Sequence, residues 1–247
     1  QPAQRLIEQF QPVADLCGSC FGALERQVVL GEAMVVIVRR DGAAFVQMAK
    51  DGYCGWLEAG AVGPALAATH WVAAVGTHLY PEPRVQARAV AALPFGARLM
   101  VTGLQGSWAE VAGGFVPAMH LRALGEWFHD PVAVAEMFLG TPYLWGGNSR
   151  DGIDCSGLVQ AALLACGRDC PGDSDLQAGI GTELAEGDAL RRGDLVFWKG
   201  HVAMVVDGDR LIHANGHSMS VAHEGIAACV DRIAAAGGGP VTARRRV

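Results

Sequence analysis

Between residues 28 and 124, apolar positions come in short β-rich runs separated by Gly and Pro. These are Val35-Val36-Ile37-Val38, residues 44–48, Cys54-Gly55-Trp56-Leu57, residues 98–102 and Trp108-Ala109-Glu110-Val111. Runs of this length, punctuated by turn residues, predict the strands of small β-barrels or sandwiches. The pattern also occurs twice. Gly31-Glu32-Ala33-Met34-Val35-Val36 leads to Phe45-Val46-Gln47-Met48 and then Gly55-Trp56-Leu57. Phe95-Gly96-Ala97-Arg98-Leu99-Met100-Val101 leads in the same way to Ser107-Trp108-Ala109-Glu110-Val111 and then Gly114-Phe115-Val116. Two copies of one β module, about 60 residues each, account for this repetition, and they are expected over residues 1–66 and 67–126.

The pattern changes after Leu124. Asp130 is placed to cap a helix with Pro131 in its first turn, running to Leu139 and closed at Gly140. A second helix starts at Asp154 or Cys155, with Leu158, Val159, Ala162, Leu163 and Ala165 near helical spacing and Gly167 as its stop. Strands are predicted over residues 194–198, 202–206 and 211–214, the last two joined by the turn Asp207-Gly208-Asp209. A helix followed by an antiparallel meander predicts an α+β domain over residues 127–247.

Composition narrows the classes. With 51% apolar residues in 247, the chain can bury real cores. No apolar run approaches the roughly 18 residues that span a bilayer; residues 30–38 are broken by Gly31 and Glu32 and stop at Arg39-Arg40. No membrane span is expected. A net charge of -6 argues against nucleic acid as a partner, and the one dense basic run, Arg244-Arg245-Arg246, is predicted to be a solvated tail.

Seven cysteines leave at least one thiol over, and Cys155 is the natural candidate. Cys17, Cys20, Cys166 and Cys170 lack the tight turn residues of a zinc knuckle, so the other thiols are expected to be reduced and buried. No basic n-region followed by an apolar h-region opens the chain. Together with the thiols, this predicts a cytoplasmic location rather than a periplasmic or secreted one.

The candidate chemistry centres on Asp154-Cys155-Ser156-Gly157. Cys155 at a helix N-terminus faces unpaired N–H groups and the positive end of the dipole, which is expected to lower its pKa and favour a nucleophilic thiolate. His201, after Gly200 at a strand start, is placed to act as base. His213, on the neighbouring strand of the predicted hairpin, can fix the tautomer of His201 as the third member of a triad does. A metal centre is not expected. His213-Ala-Asn-Gly-His217 has the spacing of a helical zinc pair, but it follows a strand pattern, and Asn215-Gly216 reads as a turn. No Glu follows His213 to serve a zinc peptidase motif, and nothing here calls for a cofactor.

With these residues in place, the C-terminal half resembles the NlpC/P60 cysteine peptidases, a papain-like superfamily of cell-wall hydrolases. The match is carried by Gly140-Thr-Pro-Tyr-Leu-Trp-Gly-Gly147, Gly152-Ile-Asp-Cys-Ser-Gly-Leu158, Arg192-Gly-Asp-Leu-Val-Phe197, Gly200-His-Val202 and Ile212-His-Ala214. The N-terminal modules resemble bacterial SH3-like domains, and the whole is similar to the γ-D-glutamyl-L-diamino acid endopeptidases. The resemblance implies two small SH3-like β-barrels ahead of a papain-like catalytic domain. It also implies cleavage of the γ-D-Glu to diamino-acid bond, with diaminopimelate or lysine, in murein peptides bearing a free N-terminal L-Ala.

Carried over residue by residue, the resemblance makes Cys155 the nucleophile, His201 the base, His213 the orienting residue and Tyr143 the hydroxyl that faces the thiol and helps the oxyanion. Asp154 and Ser156 would bind the substrate's free ammonium and backbone. Trp145 would line the pocket, while Asp173 and Ser174 match a loop that closes over substrate. From the first SH3-like module, Tyr53 matches a tyrosine that narrows the site, and either Glu25 or Glu32 would be the acid beside it. Two other functions fit the same features: a wall-peptide binding module with an inactive hydrolase, or an amidase or acyltransferase on the same fold.

Overall fold

The alternation of apolar and polar side chains dictates the strands of the N-terminal half, because successive residues of a strand point to opposite faces. The computed structural model describes residues 11–247, which divide into a unit ending at Trp127 and a second unit, Phe128–Val247. The expected first module, residues 1–66, begins outside the described residues. Its strands are β1 (Val13–Cys17), β2 (Leu24–Val29), β3 (Met34–Arg40), β4 (Ala43–Met48) and β5 (Cys54–Glu58), in the sheet order β2-β1-β5-β4-β3. Leu16, Val28, Ala44, Val46, Met48 and Leu57 form the core of that sheet.

The rest of the first unit comprises β6 (His70–Val72), β7 (Gly76–Leu79), β8 (Ala91–Pro94), β9 (Arg98–Leu99), β10 (Val101–Gln105), β11 (Trp108–Val111), β12 (Gly114–Pro117) and β13 (Leu121–Ala123). Its core holds Val72, Leu79, Leu93, Ala97, Leu99, Val111 and Val116. The sequence repetition has a direct structural counterpart. The meander β3-β4-β5 ends in a single 3-10 turn, Ala59–Ala61, and the meander β10-β11-β12 ends in another, Ala118–His120.

In the second unit, Asp130 caps helix α1 (Pro131–Glu136) by accepting from Val132 N at 3.0 Å. The helix stops three residues short of Leu139, and the chain turns through to Gly140 at φ +80°. A two-stranded ribbon, β14 (Asn148–Ser149) and β15 (Gly152–Ile153), delivers the chain to α2 (Cys155–Ala165), and a single helical turn, α3 (Ser174–Gln177), follows. The remaining strands are β16 (Thr182–Glu183), β17 (Leu195–Trp198), β18 (His201–Val205), β19 (Arg210–Asn215), β20 (Ser220–Gly225) and β21 (Ala243–Arg246), with α4 (Ile226–Ala235) between the last two.

These strands form an antiparallel sheet in the order β16-β21-β17-β18-β19-β20. Leu195, Val196, Phe197 and Trp198 are all buried, as are Val202, Ala203, Met204 and Val205. Such unbroken apolar runs are strands covered on both faces. Helix α2 packs on β18 and β19, and α4 packs on β20. The architecture is α+β, a helix carrying Cys155 against an antiparallel sheet.

Three expectations are corrected. Arg244, Arg245 and Arg246 are not a solvated tail, because β21 lies inside the sheet between β16 and β17. Arg246 forks onto the buried carboxylate of Asp194 at 2.8 and 2.9 Å, and Arg245 lies 3.6 Å from Glu183, so two of the three arginines are engaged in pairing. The non-nucleophilic cysteines are not uniformly buried: Cys54 is exposed and Cys17, Cys20 and Cys166 are partly so, while Cys170 and Cys229 are buried. Beyond residue 214, where no element was predicted, the structure adds β20, α4 and β21. Among the described residues, no helix is long and apolar enough to cross a membrane.

Candidate active site

Cys155 opens helix α2 because Asp154, in extended conformation, is its N-cap. One Asp154 carboxylate oxygen accepts from Gly157 N at 2.6 Å and from Ser156 Oγ at 3.2 Å, and the other accepts from Gly146 N at 2.9 Å. The cap therefore ties the helix start to the turn after Trp145. Gly157 is required there: a Cβ would sit 2.5 Å from Asn148 Oδ1 and 2.7 Å from the Gly147 carbonyl oxygen. The Asp154 carboxylate is nine-tenths buried, and its hydrogen bonds are mostly to backbone N–H groups.

The thiol lies beside the start of β18, where the backbone N–H of Val202, next to His201, donates toward its sulfur. Burial first, and then the Asp154 carboxylate, pushes the Cys155 thiol up to about 12. Backbone N–H groups of Val202, Ser156 and Cys155 pull the other way without prevailing. The expected lowering at the helix N-terminus is thus overridden: desolvation of a nearly enclosed sulfur outweighs the dipole.

His201 Nε2 lies 2.9 Å from His213 Nδ1. The ladder β18–β19 pairs Met204 with Ile212, and carrying that register on sets Ala203 opposite His213. His201 is then a diagonal neighbour on the same face, a relation that long or ring side chains bridge. Trp198 pairs with His201 across β17 and β18, with ring centroids 5.8 Å apart. Burial, and then the neighbouring ring of His213, lowers His201 to about 3; burial likewise lowers His213 to about 4, against the opposing pull of Glu224. Both rings are neutral at pH 7.

Tyr143 is held between the turn ahead of β20 and strand β15. Its N–H donates to the Met219 carbonyl at 2.9 Å, and its backbone bridges to Ile153, the residue before Asp154. Partial burial first, then Cys155 and Asp154, raises its phenol to about 12, so the hydroxyl keeps its proton and can donate. Met219 adopts φ +51° in a turn organised by Asn215, whose side chain accepts from His217 N and Ser218 N. The His213 to His217 segment is thus a strand end and a turn, the reading that excluded a helical zinc pair.

The other expected residues are placed as follows. Trp145 is two-thirds exposed, Ser156 is buried within the cap, and Asp173 and Ser174 begin the short α3 turn. That turn is anchored by a residue the sequence reading passed over. Gln177, fully buried, donates through its side-chain amide to the Ser156 and Pro171 carbonyls at 2.9 Å each, joining α3 to the first turn of α2.

In the first unit, Tyr53 Oη donates to Glu25 Oε2 at 3.3 Å, and Arg26 lies over the Tyr53 ring. A Cβ at Gly18 would fall 2.1 Å from a Glu25 oxygen, so that glycine makes room for the carboxylate. Glu32 instead pairs with Lys50. Of the two candidate acids, Glu25 is therefore the one that meets Tyr53.

Sequence reasoning also missed Glu224 and Arg232. Glu224 Oε2 lies 3.1 Å from His213 Nε2, on the side away from His201, and Arg232 forks onto both Glu224 oxygens at 2.7 Å. The His213 contact is too oblique to form a linear hydrogen bond, so it acts first as a charge beside a buried nitrogen. The signal was present in Ala222-His223-Glu224, since Ala222 opposes His213 and Glu224 stands two residues further along the same face.

Comparison with known proteins identifies relatives of both units. The chain is 29% identical over 153 residues to dipeptidyl-peptidase 6 of Lysinibacillus sphaericus, covering 54% of this chain and 56% of that protein. It is 38% identical over 107 residues to the γ-D-glutamyl-L-lysine dipeptidyl-peptidase of Bacillus subtilis strain 168, covering 40% and 35%. The chain thus spans about half or less of these relatives. The crystal structure of an NlpC/P60 family protein from Bacillus cereus ATCC 10987 superposes with a TM-score of 0.76 at 22% identity, over 90% of this chain and 82% of that one, which establishes the shared fold. Residues 21–62 match the bacterial dipeptidyl-peptidase SH3 domain and residues 140–230, which include Cys155, His201 and His213, match the NlpC/P60 family, so this chain joins an SH3-like domain to an NlpC/P60 domain.

Proposed function

We propose that this protein is a cysteine peptidase that hydrolyses the γ-D-glutamyl to diamino-acid bond of murein peptides with a free N-terminal L-Ala. The observation that carries the reading is Cys155 at the start of α2 beside the backbone of Val202, together with the ring of the adjacent His201, whose Nε2 stands 2.9 Å from His213 Nδ1. The name of the Bacillus subtilis relative, a γ-D-glutamyl-L-lysine dipeptidyl-peptidase, supports the choice of bond.

In this reading the resting pair is a thiol and a neutral imidazole. His201 takes the Cys155 proton as the sulfur attacks the γ-carbonyl carbon of D-Glu. The resulting oxyanion accepts from the protonated Tyr143 hydroxyl and from backbone N–H groups at the helix start. Collapse of the tetrahedral adduct breaks the C–N bond, and the leaving amine takes the proton from His201. Water then attacks the thioester, His201 removes its proton, and the thiol is restored with release of L-Ala-D-Glu.

Asp154 supplies a buried negative charge for the substrate ammonium, as a paired charge in such a place must. The free cysteines suit a reducing compartment, so we propose that the reaction belongs to recycling of wall peptides in the cytoplasm.

Incubation with L-Ala-γ-D-Glu-diaminopimelate followed by mass spectrometry tests the reading. Release of diaminopimelate is expected from the wild type and none from Cys155→Ala, and the N-acetylated tripeptide should resist cleavage. Full release by Cys155→Ala, or cleavage at a muramoyl amide instead, would overturn it.

A further inference from the structure

His213, Glu224 and Cys229 bring one ligand atom each to within 4.8 Å of one another, a donor set that a transition metal could use. The guanidinium of Arg232 decides otherwise. Its Nη2 lies 2.7 Å from a Glu224 oxygen and 3.7 Å from Cys229 Sγ, so a positive charge already stands where a cation would have to bind. The cluster is an ion-pair network directed at one imidazole.

We propose that Glu224, held by Arg232, is a positioning residue that keeps the His213 proton on Nε2 and thereby leaves Nδ1 of His201 free to accept a proton. The inference rests on the reading above, in which His201 serves as base for Cys155. One proton is shared between His201 Nε2 and His213 Nδ1, which allows two arrangements. In the first, His213 carries its proton on Nδ1 and donates it to His201. His201 is then protonated on Nδ1 and has no free nitrogen for the thiol. His213 Nε2 would meanwhile hold a lone pair beside a carboxylate oxygen 3.1 Å away in a buried site. In the second, His213 Nε2–H stands beside that carboxylate, His213 Nδ1 accepts from His201 Nε2–H, and His201 Nδ1 is basic. Glu224 favours the second arrangement by charge alone.

The fold builds this device deliberately. Ala222 stands directly opposite His213, and the continued register places Ala203 on its other side. Two methyl groups leave space for the diagonal neighbours, His201 on one flank and Glu224 on the other, to reach it. Arg232 grips both carboxylate oxygens, Nε on Oε1 and Nη2 on Oε2, and so fixes the rotation of the group. With that partner, Glu224 is held down to about 2 and stays ionised throughout the working range.

The test uses the full chain with 15N-labelled histidine and long-range 1H–15N correlation at neutral pH, alongside kinetics on the tripeptide. The wild type should show both His201 and His213 protonated on Nε2. Glu224→Gln places an NH2 group against either the guanidinium fork or His213, and should move His213 toward the Nδ1–H form. It should lower kcat about 100-fold, the usual worth of a positioned base, with KM nearly unchanged. Arg232→Lys keeps the charge but loses the fork, and should give a smaller shift in the same direction. Wild-type tautomers in both variants, or an undiminished kcat in Glu224→Gln, would overturn the proposal. If the tautomers move but the wild type cleaves no tripeptide, the functional reading fails and the tautomer control stands.

Discussion

At the scale of the residue, Cys155 poses a sharp question, because two effects of opposite sign act on one sulfur. The helix N-terminus favours the thiolate, while burial and Asp154 disfavour it and prevail, lifting the thiol to about 12. Below that value the thiolate fraction rises about tenfold per pH unit, and alkylation follows the thiolate. Iodoacetamide labelling of Cys155, followed by peptide mapping to separate it from the exposed Cys54, should therefore climb roughly a hundredfold from pH 7 to pH 9. A rate that stays level across this interval would mean a preformed thiolate–imidazolium pair and would refute the neutral resting state. The sequence made Cys155, His201 and His213 legible because each sits in a motif of fixed local geometry: a helix start, a glycine before a strand, and a hairpin partner. Glu224 and Arg232 were not legible. Their elements begin after residue 214, and their meaning lies in a diagonal contact across β19 and β20 and a fork from α4.

At the scale of the element, the start of α2 concentrates the design. Helix α2 was readable from Asp154, its apolar spacing and Gly167, and its stop at Gly167 has the φ of +71° that favours glycine. Its neighbours were harder: α1 ends earlier than its apolar pattern suggests, and the basic run reads as a tail because charge alone does not reveal a strand in which Arg245 and Arg246 are paired. Gly157 supplies a prediction with an inverted sign. In an ordinary helix interior, Gly→Ala stabilises by about 1 kcal/mol. Here the new methyl would press on the Gly147 carbonyl and the Asn148 amide, groups of a ribbon that cannot yield without moving the Asp154 cap. Gly157→Ala should instead destabilise by about 1–3 kcal/mol, lower the melting temperature, and reduce turnover by displacing Cys155. A variant that is more stable and fully active would show that the ribbon adjusts freely.

At the scale of the whole molecule, the repeated β pattern and the shift to helix and meander gave away the broad plan, since periodicity is a property of the chain itself. The cost of assembling the site appears only in the folded protein. His201 and His213 enter the fold as neutral rings, and their folded values of about 3 and about 4 lie well below the 6.5 of a free imidazole. The sign follows from linkage. Between pH 6.5 and 4 the unfolded chain binds protons at both positions and the folded chain at neither, so stability is complete above 6.5 and falls as pH drops toward 4 and then 3. Glu224 adds to the loss below its ordinary value of 4.5, since its folded value is about 2. Two proton-linked groups can steepen the decline to at most about 2.7 kcal/mol per pH unit. Thermal melts of the full chain from pH 7.5 to pH 4.5 should show the melting temperature falling once pH passes below about 6.5, and His213→Asn should make the fall shallower by about one bound proton. A melting temperature that is level between pH 7 and pH 5, or a slope unaffected by His213→Asn, would mean that these rings are protonated inside the fold and that the neutral relay described here does not exist.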